Sequence, residues 1–230
     1  MKTNNTTEKI KRLTAVAVFA ALAYVAHFIH IPVMFLNLDF KDVIMTVCGM
    51  YFGPAYGGVV AVLVPLLEYP TSSTGVYGLI MNILSSTSFV CVASLIYKYK
   101  KTLMGAIVAL CSAVLSMVAV MMVANLFITP YYMGVSRAEI VAYIPTLLLP
   151  FNAVKAVLNA SLTLCVYKPL ARILKRTGFV RAERGGEVTL EEPKKPSVWR
   201  NVAVVSVGAV IAAISLIIIF KVLGGSIEFN

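Results

Sequence analysis

Residues 43–67, VIMTVCGMYFGPAYGGVVAVLVPLL, form the apolar stretch that decides how often the chain crosses a membrane. The stretch is nearly all apolar, but Gly53 and Pro54 interrupt it near its middle. A Gly-Pro pair favours a break, because proline cannot continue a helix normally and glycine tolerates unusual backbone angles. The stretch is therefore either one kinked span or two short helices, at 40–52 and 54–67.

The basic residues decide between these alternatives. Sixteen of the 20 Lys and Arg residues fall in four groups between apolar runs, at 2–12, 98–101, 168–184 and 194–200. Loops rich in Lys and Arg stay on the cytoplasmic side, and two crossings by residues 43–67 put all four groups on one side. We therefore predict two short helices, which tilt or thin a hydrocarbon core of about 30 Å. The N-terminus is then cytoplasmic and the C-terminus outside.

The composition excludes an ordinary soluble domain. Of the 230 residues, 60% are hydrophobic and 13% are charged, against about 45–50% apolar residues in soluble domains. The chain is thus predicted to be an all-α integral membrane protein. The net charge of +10 does not indicate nucleic-acid binding, because the basic groups follow the membrane topology. The charged start followed by an apolar run also resembles a signal peptide, but its length favours a retained helix.

The domain organisation follows from the same pattern. Residues 1–176 are predicted to form a six-helix membrane domain, and residues 177–198 a charged cytoplasmic linker. Residues 199–223 add a seventh transmembrane helix, and residues 224–230 form a short external tail. The seventh helix has no polar face, which favours a lipid-facing addition rather than part of a transport path.

Polar side chains inside the spans mark the candidate site. Asn152, Lys155 and Asn159 share one helical face, and a charge near the bilayer centre costs roughly 2.5–3.5 kcal/mol. Lys155 should therefore face protein, water or a ligand. With Asn125, near the outer end of the fifth span, Asn152 and Lys155 predict an apolar pocket with few polar groups, suited to a flat, uncharged heteroaromatic molecule. Asn82 and Asn159 fit hydrogen bonds between helices equally well or better.

No catalytic or metal-binding pattern is present in the sequence. There is no Walker A, GxSxG or HExxH motif, and the 4 Cys residues lie in apolar segments without CxxC spacing. Asp39 and Asp42 are predicted to cap the second helix in preference to contacting a ligand, and Glu68 to mark a membrane edge in preference to reaching a ligand. Ala17 and Ala21 form a small-xxx-small pair, typical either of helix packing within the chain or of a face for a partner helix.

Four segments together resemble the substrate-specific (S) components of energy-coupling-factor (ECF) vitamin transporters. These are LNLDFKDV at 36–43 followed by FGP at 52–54, STGVYG at 73–78, NLFITPYY at 125–132 and LPFNAVK at 149–155. The last two resemble the riboflavin-specific branch. The resemblance covers residues 13–176, and residues 177–230 have no counterpart in the usual six-helix pattern.

The resemblance implies a riboflavin-binding subunit that takes substrate from outside. It implies partners, namely a transmembrane coupling protein and two cytoplasmic ABC-type ATPases, and no cofactor or enzymatic activity of its own. The implied ligand contacts are Asn125, Asn152 and Lys155 on the isoalloxazine ring, with Leu38 and Asp39 in a closing loop; Asn82 is kept as a further candidate. Ala17 and Ala21 match an AxxxA contact with the coupling protein.

Three other functions stay open from the sequence alone. The chain could serve another vitamin or precursor such as thiamin. A small membrane enzyme would need a two-carboxylate metal motif, and an ion-coupled transporter would show intramembrane acids on several helices or an internal repeat. Neither feature is visible in the sequence.

Overall fold

A computed structural model of the chain describes residues 2–34, 36–72, 74–176, 198–224 and 228–229. The predicted linker, 177–198, lies outside the described residues except for Val198, and so do most of the predicted tail and Ser73 of one quoted segment. The helices are α1 (Lys2–His27), α2 (Lys41–Phe52), α3 (Pro54–Glu68), α4 (Gly75–Tyr99), α5 (Leu103–Met133), α6 (Arg137–Tyr143), α7 (Leu149–Arg176) and α8 (Val198–Lys221). Five helical segments within these ranges are long and apolar enough to span a membrane: Lys9–His27, Gly75–Tyr99, Leu103–Met133, Arg137–Tyr167 and Val202–Lys221.

Residues 41–68 form two short helices, as the basic groups predict. The break falls at Gly53, whose φ of 104° is a conformation that few residues other than glycine adopt. Pro54 then occupies the first turn of α3, where its missing N–H costs no helical bond. Helices α2 and α3 contain 12 and 15 residues, too few for an upright span, and both pack on α4 inside the bundle.

A small β-sheet adds to the helical architecture and was not predicted from the sequence. Strand β1 (Ile29–Val33) pairs antiparallel with β2 (Leu36–Asp39), so that His30 lies opposite Asp39 and Ile31 opposite Leu38. A third strand, β3 (Glu228–Phe229), lies on the other edge of β1. Pro32 prevents α1 from continuing, and the branched Ile and Val residues of β1 suit an extended backbone. The hairpin thus forms between α1 and α2.

Prolines shape the helices that follow. Helix α5 runs through Pro130 to Met133 and is longer than the predicted span of 103–128, because a proline in the last turn removes only one backbone bond. Pro145 lies in a π-helical turn, Ile144–Leu148, that joins α6 to α7. This widened turn is the interruption expected before Asn152, and irregular helical turns of this kind are frequent at functional sites.

Helix α8 packs against α7. Its buried stripe includes Gly208, Ala212, Ser215 and Ile219, whereas most of its remaining described side chains are exposed. The prediction of a lipid-facing addition can apply only to the exposed face of α8. The other face joins an apolar cluster that also contains side chains of α7 and of the hairpin.

Candidate substrate-binding site

A pocket opens between the hairpin and helices α4, α5 and α7. Its apolar lining includes Leu36, Met81, Met121, Ile128 and Phe151. The polar lining contains the candidates Asn82, Asn125, Asn152 and Lys155, together with Asn37, Thr74, Ser85, Thr129 and Tyr132. The structure thus brings four of the predicted site residues, which come from three helices, to one cavity of about 100 Å³.

Asn125 and Asn152 are held in fixed orientations. Asn125 Nδ2 donates to the carbonyl of Met121 at 2.7 Å, and its Oδ1 accepts from the Thr129 hydroxyl at 2.9 Å. Asn152 Nδ2 donates to the carbonyl of Leu148 at 2.8 Å. Each amide nitrogen carries a second hydrogen, so both side chains retain a donor for a ligand after these bonds are made.

Lys155 connects α7 to the hairpin. Its ammonium Nζ lies 3.3 Å from Asp39 Oδ2 and donates to the backbone carbonyl of Asn37, also at 3.3 Å. The residue is 5% exposed and lines the pocket. Lys155 therefore faces protein and pocket together, which satisfies its charge inside an apolar span.

Asp39 belongs to a chain of buried charges that extends beyond the pocket. Its Oδ2 lies 3.5 Å from Lys41 Nζ, which in turn binds Glu68 Oε2, and Glu68 lies 3.6 Å from His27 Nδ1. Burial raises the pKa of Asp39, but Lys155 and then Lys41 outweigh that effect and lower this pKa to about 2. The Glu68 side chain, at the end of α3, is buried against Lys41.

The prediction that Asp42 caps α2 is wrong. No side chain caps the N-terminus of α2, and the Asp42 carboxylate accepts from Ser86 Oγ at 2.6 Å and from Asn159 Nδ2 at 3.1 Å. The reason is position: α2 begins inside the bundle, where a buried carboxylate needs donors from neighbouring helices. The same bond confirms the interpretation of Asn159 as a contact between helices.

Of the two hairpin residues expected to close over the ligand, Leu38 does not line the pocket. Leu38 is fully buried in the apolar cluster with Phe151 and Leu158, and the pocket is lined instead by Leu36 and Asn37. Alternation along β2 explains the different roles of Leu38 and its neighbour Asn37, since neighbouring residues of a strand point to opposite faces. Leu38 thus anchors the segment that carries Asn37.

A second, more polar cavity adjoins the first. It has a volume of about 440 Å³ and shares Asn37, Thr74, Asn82 and Tyr132 with the smaller pocket. His27, His30, Asp39 and Glu68 also line it. Four buried side-chain atoms of these residues have no hydrogen-bond partner among the described residues, namely Asp39 Oδ1, Glu68 Oε1, His27 Nδ1 and His30 Nδ1. Sequence reasoning missed this cavity, because its wall combines residues of α1, of the hairpin and of the end of α3.

Ala17 and Ala21 lie on the exposed face of α1, whereas Ala15, Ala20 and Ala23 are buried. Among the described residues, Ala17 and Ala21 are therefore not buried by packing within the chain. Their exposure leaves a smooth strip on α1, and α8, which packs on α7, does not cover it.

The helical bundle and its enclosed pocket define a multi-pass membrane protein of the substrate-binding class. The family profile described as ECF transporter, substrate-specific component, matches residues 11–167, and the chain belongs to this family. It is a substrate-binding transporter subunit and not an enzyme. Membership implies association with an ECF module and binding of the vitamin that the module imports.

Two characterised relatives and one solved structure resemble most of the chain. The riboflavin transporter RibU of Staphylococcus aureus (strain TCH60) is 33% identical over 176 residues, which are 72% of this chain and 93% of that protein. The riboflavin transporter FmnP of Bacillus subtilis (strain 168) is 25% identical over 163 residues, 65% of this chain and 86% of that protein. The solved S component of a bacterial ECF transporter is 33% identical, with a TM-score of 0.64, and the match covers 73% of this chain and 99% of that one.

Proposed function

We propose that this chain is the riboflavin-binding subunit of an ATP-driven ECF importer, which takes the vitamin from outside and releases it inside through its partner subunits. Both characterised relatives are riboflavin transporters, and the ECF family assignment gives the transport mechanism. The observation that carries the proposal is the convergence of Asn125, Asn152 and Lys155 on one apolar pocket.

The chemistry of the pocket matches the flavin ring. The isoalloxazine system is flat and uncharged, and its pyrimidine edge presents carbonyl oxygens, a ring N–H and a ring nitrogen. Asn125 and Asn152 offer amide hydrogens at that edge, while Phe151, Met81 and Met121 supply apolar contact. Thiamin carries a permanent positive charge, which the nearby Lys155 ammonium opposes.

The polar cavity suits the rest of the molecule. Riboflavin carries a ribityl chain of hydroxyl groups, and the unpaired acceptors Asp39 Oδ1 and Glu68 Oε1 lie at the cavity wall. The smaller pocket, at about 100 Å³, is below the roughly 300–1,000 Å³ usual for such ligands. Since the two cavities share Asn37 and Asn82, a displacement of the hairpin would join them into one space for the whole vitamin.

The partner subunits supply the energy. In this proposal a transmembrane coupling protein contacts the exposed strip at Ala17 and Ala21, and two ABC-type ATPases hydrolyse ATP on the cytoplasmic side. The chain uses no cofactor, and the flavin is cargo. The basic groups support a cytoplasmic N-terminus and an external C-terminus.

Ligand binding to the purified chain tests the assignment. We expect a yellow preparation with flavin absorbance, and quenching of riboflavin fluorescence in a saturable titration. Thiamin in excess serves as the competitor and should leave the titration unchanged. A preparation that gives no response to riboflavin but binds thiamin would reject the riboflavin assignment and leave the family assignment intact.

A further inference from the structure

The C-terminal segment that follows the family region contacts the part of the molecule that covers the pocket. The family profile ends at residue 167, and the matched relatives cover 72% and 65% of the chain. Helix α8 nevertheless fits α7 closely: a Cβ on Gly208 would come within 3.0 Å of Cys165 Sγ and 3.4 Å of the Ser161 carbonyl. Small residues at such a helix contact allow two backbones to approach.

Helix α8 also belongs to the apolar cluster that contains the hairpin. Ala212 and Ile219 belong to one buried apolar cluster with Leu158 of α7 and with Ile31 and Val33 of β1. Leu216 and Leu223 pack against the same cluster. Strand β3 continues the contact, since its two residues pair with Ile29 and His30 on the free edge of β1. The C-terminal segment therefore holds β1 by side-chain packing and by a backbone ladder.

The hairpin is also the element that closes the pocket. Leu36 and Asn37 of the hairpin line the cavity. The Asn37 carbonyl and the Asp39 carboxylate bind the ammonium of Lys155, which belongs to α7. An outward movement of β1 and β2 would break these bonds and would also pull Ile31 and Val33 out of the cluster with α8. Opening of the hairpin is thus opposed from the pocket side by Lys155 and from the other side by the C-terminal segment.

We infer that α8 and β3 are positioning elements of the substrate site, which hold the hairpin closed and slow the exchange of bound ligand. The inference rests on the proposed function for its ligand, riboflavin. It assigns to the C-terminal segment a role in ligand residence time rather than in direct contact with the vitamin.

A matched pair of substitutions on neighbouring residues of α8 tests the inference. Ala212→Leu places three extra carbon atoms in the buried contact, and Ala213→Leu places the same atoms on the exposed face. Stopped-flow dissociation of riboflavin from the full-length chain should accelerate roughly tenfold in Ala212→Leu, with a similar loss of affinity, since interface changes act mainly on the dissociation rate. Ala213→Leu should match the unsubstituted chain. Replacing both Glu228 and Phe229 by proline removes their backbone donors and provides a second route to the same acceleration without altering the helix contact.

The outcomes separate the inference from the proposed function. Unchanged dissociation in both Ala212→Leu and the double proline variant would overturn the inference, and so would equal acceleration by Ala213→Leu. If the unsubstituted chain binds no riboflavin, the proposed function fails, and amide hydrogen exchange across residues 29–39 then tests the inference alone. Faster exchange there in Ala212→Leu than in Ala213→Leu would support it, and equal exchange would overturn it.

Discussion

Replacement of Lys155 by methionine should weaken riboflavin binding by roughly 1–3 kcal/mol, or about 5- to 150-fold in Kd. Methionine keeps most of the volume of the side chain but removes the ammonium. Two contacts to the hairpin disappear, one to Asp39 Oδ2 and one to the Asn37 carbonyl, each at 3.3 Å. Any direct bond from Lys155 to the ligand is lost with them.

The expected loss of binding free energy depends on the ion pair that Asp39 keeps after the substitution. Breaking a buried ion pair by removing one partner typically costs about 3–5 kcal/mol, because the other charge is left unpaired. Here Lys41 Nζ stays 3.5 Å from the same carboxylate oxygen, so the loss should lie below that range. Part of the loss destabilises the closed hairpin, and a smaller closed population raises the apparent Kd.

Fluorescence quenching titrations on the purified variants measure the effect. Lys221→Met serves as the matched control, since Lys221 is exposed at the end of α8. A double-mutant cycle with Asp39→Asn then isolates the contribution of the pair, and contacting residues usually show coupling of about 0.5–3 kcal/mol. An unchanged Kd in Lys155→Met would refute the role of Lys155, and strictly additive losses would refute its action through Asp39.

Three further predictions follow from other contacts. Asn125→Ala should raise the Kd for riboflavin about fivefold or more, because a fixed amide donor is lost from the pocket. Because the pKa of Asp39 is lowered to about 2, its ion pairs stabilise the fold fully above about pH 4 and lose that effect as pH falls towards 2. Asp39→Asn should therefore flatten the acid unfolding curve between these values. Ala21→Trp should leave riboflavin affinity unchanged but reduce uptake by cells, since Ala21 lies on the exposed strip of α1.

Each of these predictions has a control within the chain. Asn159→Ala should lower the melting temperature through Asp42 while changing Kd less than Asn125→Ala, and the reverse order would contradict the site assignment. Circular dichroism between pH 4 and 2 measures acid unfolding, and identical curves for both forms of residue 39 would contradict the proposed ionisation. Ala20→Trp, at a buried position, should destabilise the protein; loss of binding in Ala21→Trp as well would argue against a partner surface.

The sequence predicts best those features that depend on local pattern and net charge. Gly53-Pro54 and the basic groups predict two short helices, and the structure has them at 41–52 and 54–68. The candidates Asn125, Asn152 and Lys155 line one pocket, and the sequence marks each of them as a polar side chain inside an otherwise apolar span. Both predictions use only the residues within one segment and the place of that segment in the order of membrane crossings.

The features that the sequence does not predict depend on contacts between distant segments. The bond from Asn159 to Asp42 joins residues 117 apart, and no local pattern distinguishes this carboxylate from a helix cap. The bond from Lys41 to Glu68 similarly joins the start of α2 to the end of α3. Strands β1 and β2 together contain only nine residues, five and four, between two strong helices, and the third strand of the sheet comes from the far end of the chain.

The pairing of β3 with β1 has a practical consequence for labelling. A fluorescent protein or affinity tag fused after Asn230 would begin one residue beyond a strand that contacts the segment over the pocket. Such a fusion would change the very kinetics that a transport experiment sets out to record. The start of α1, well separated in sequence from both strands, is the better site for attachment, provided that the label leaves the strip at Ala17 and Ala21 free.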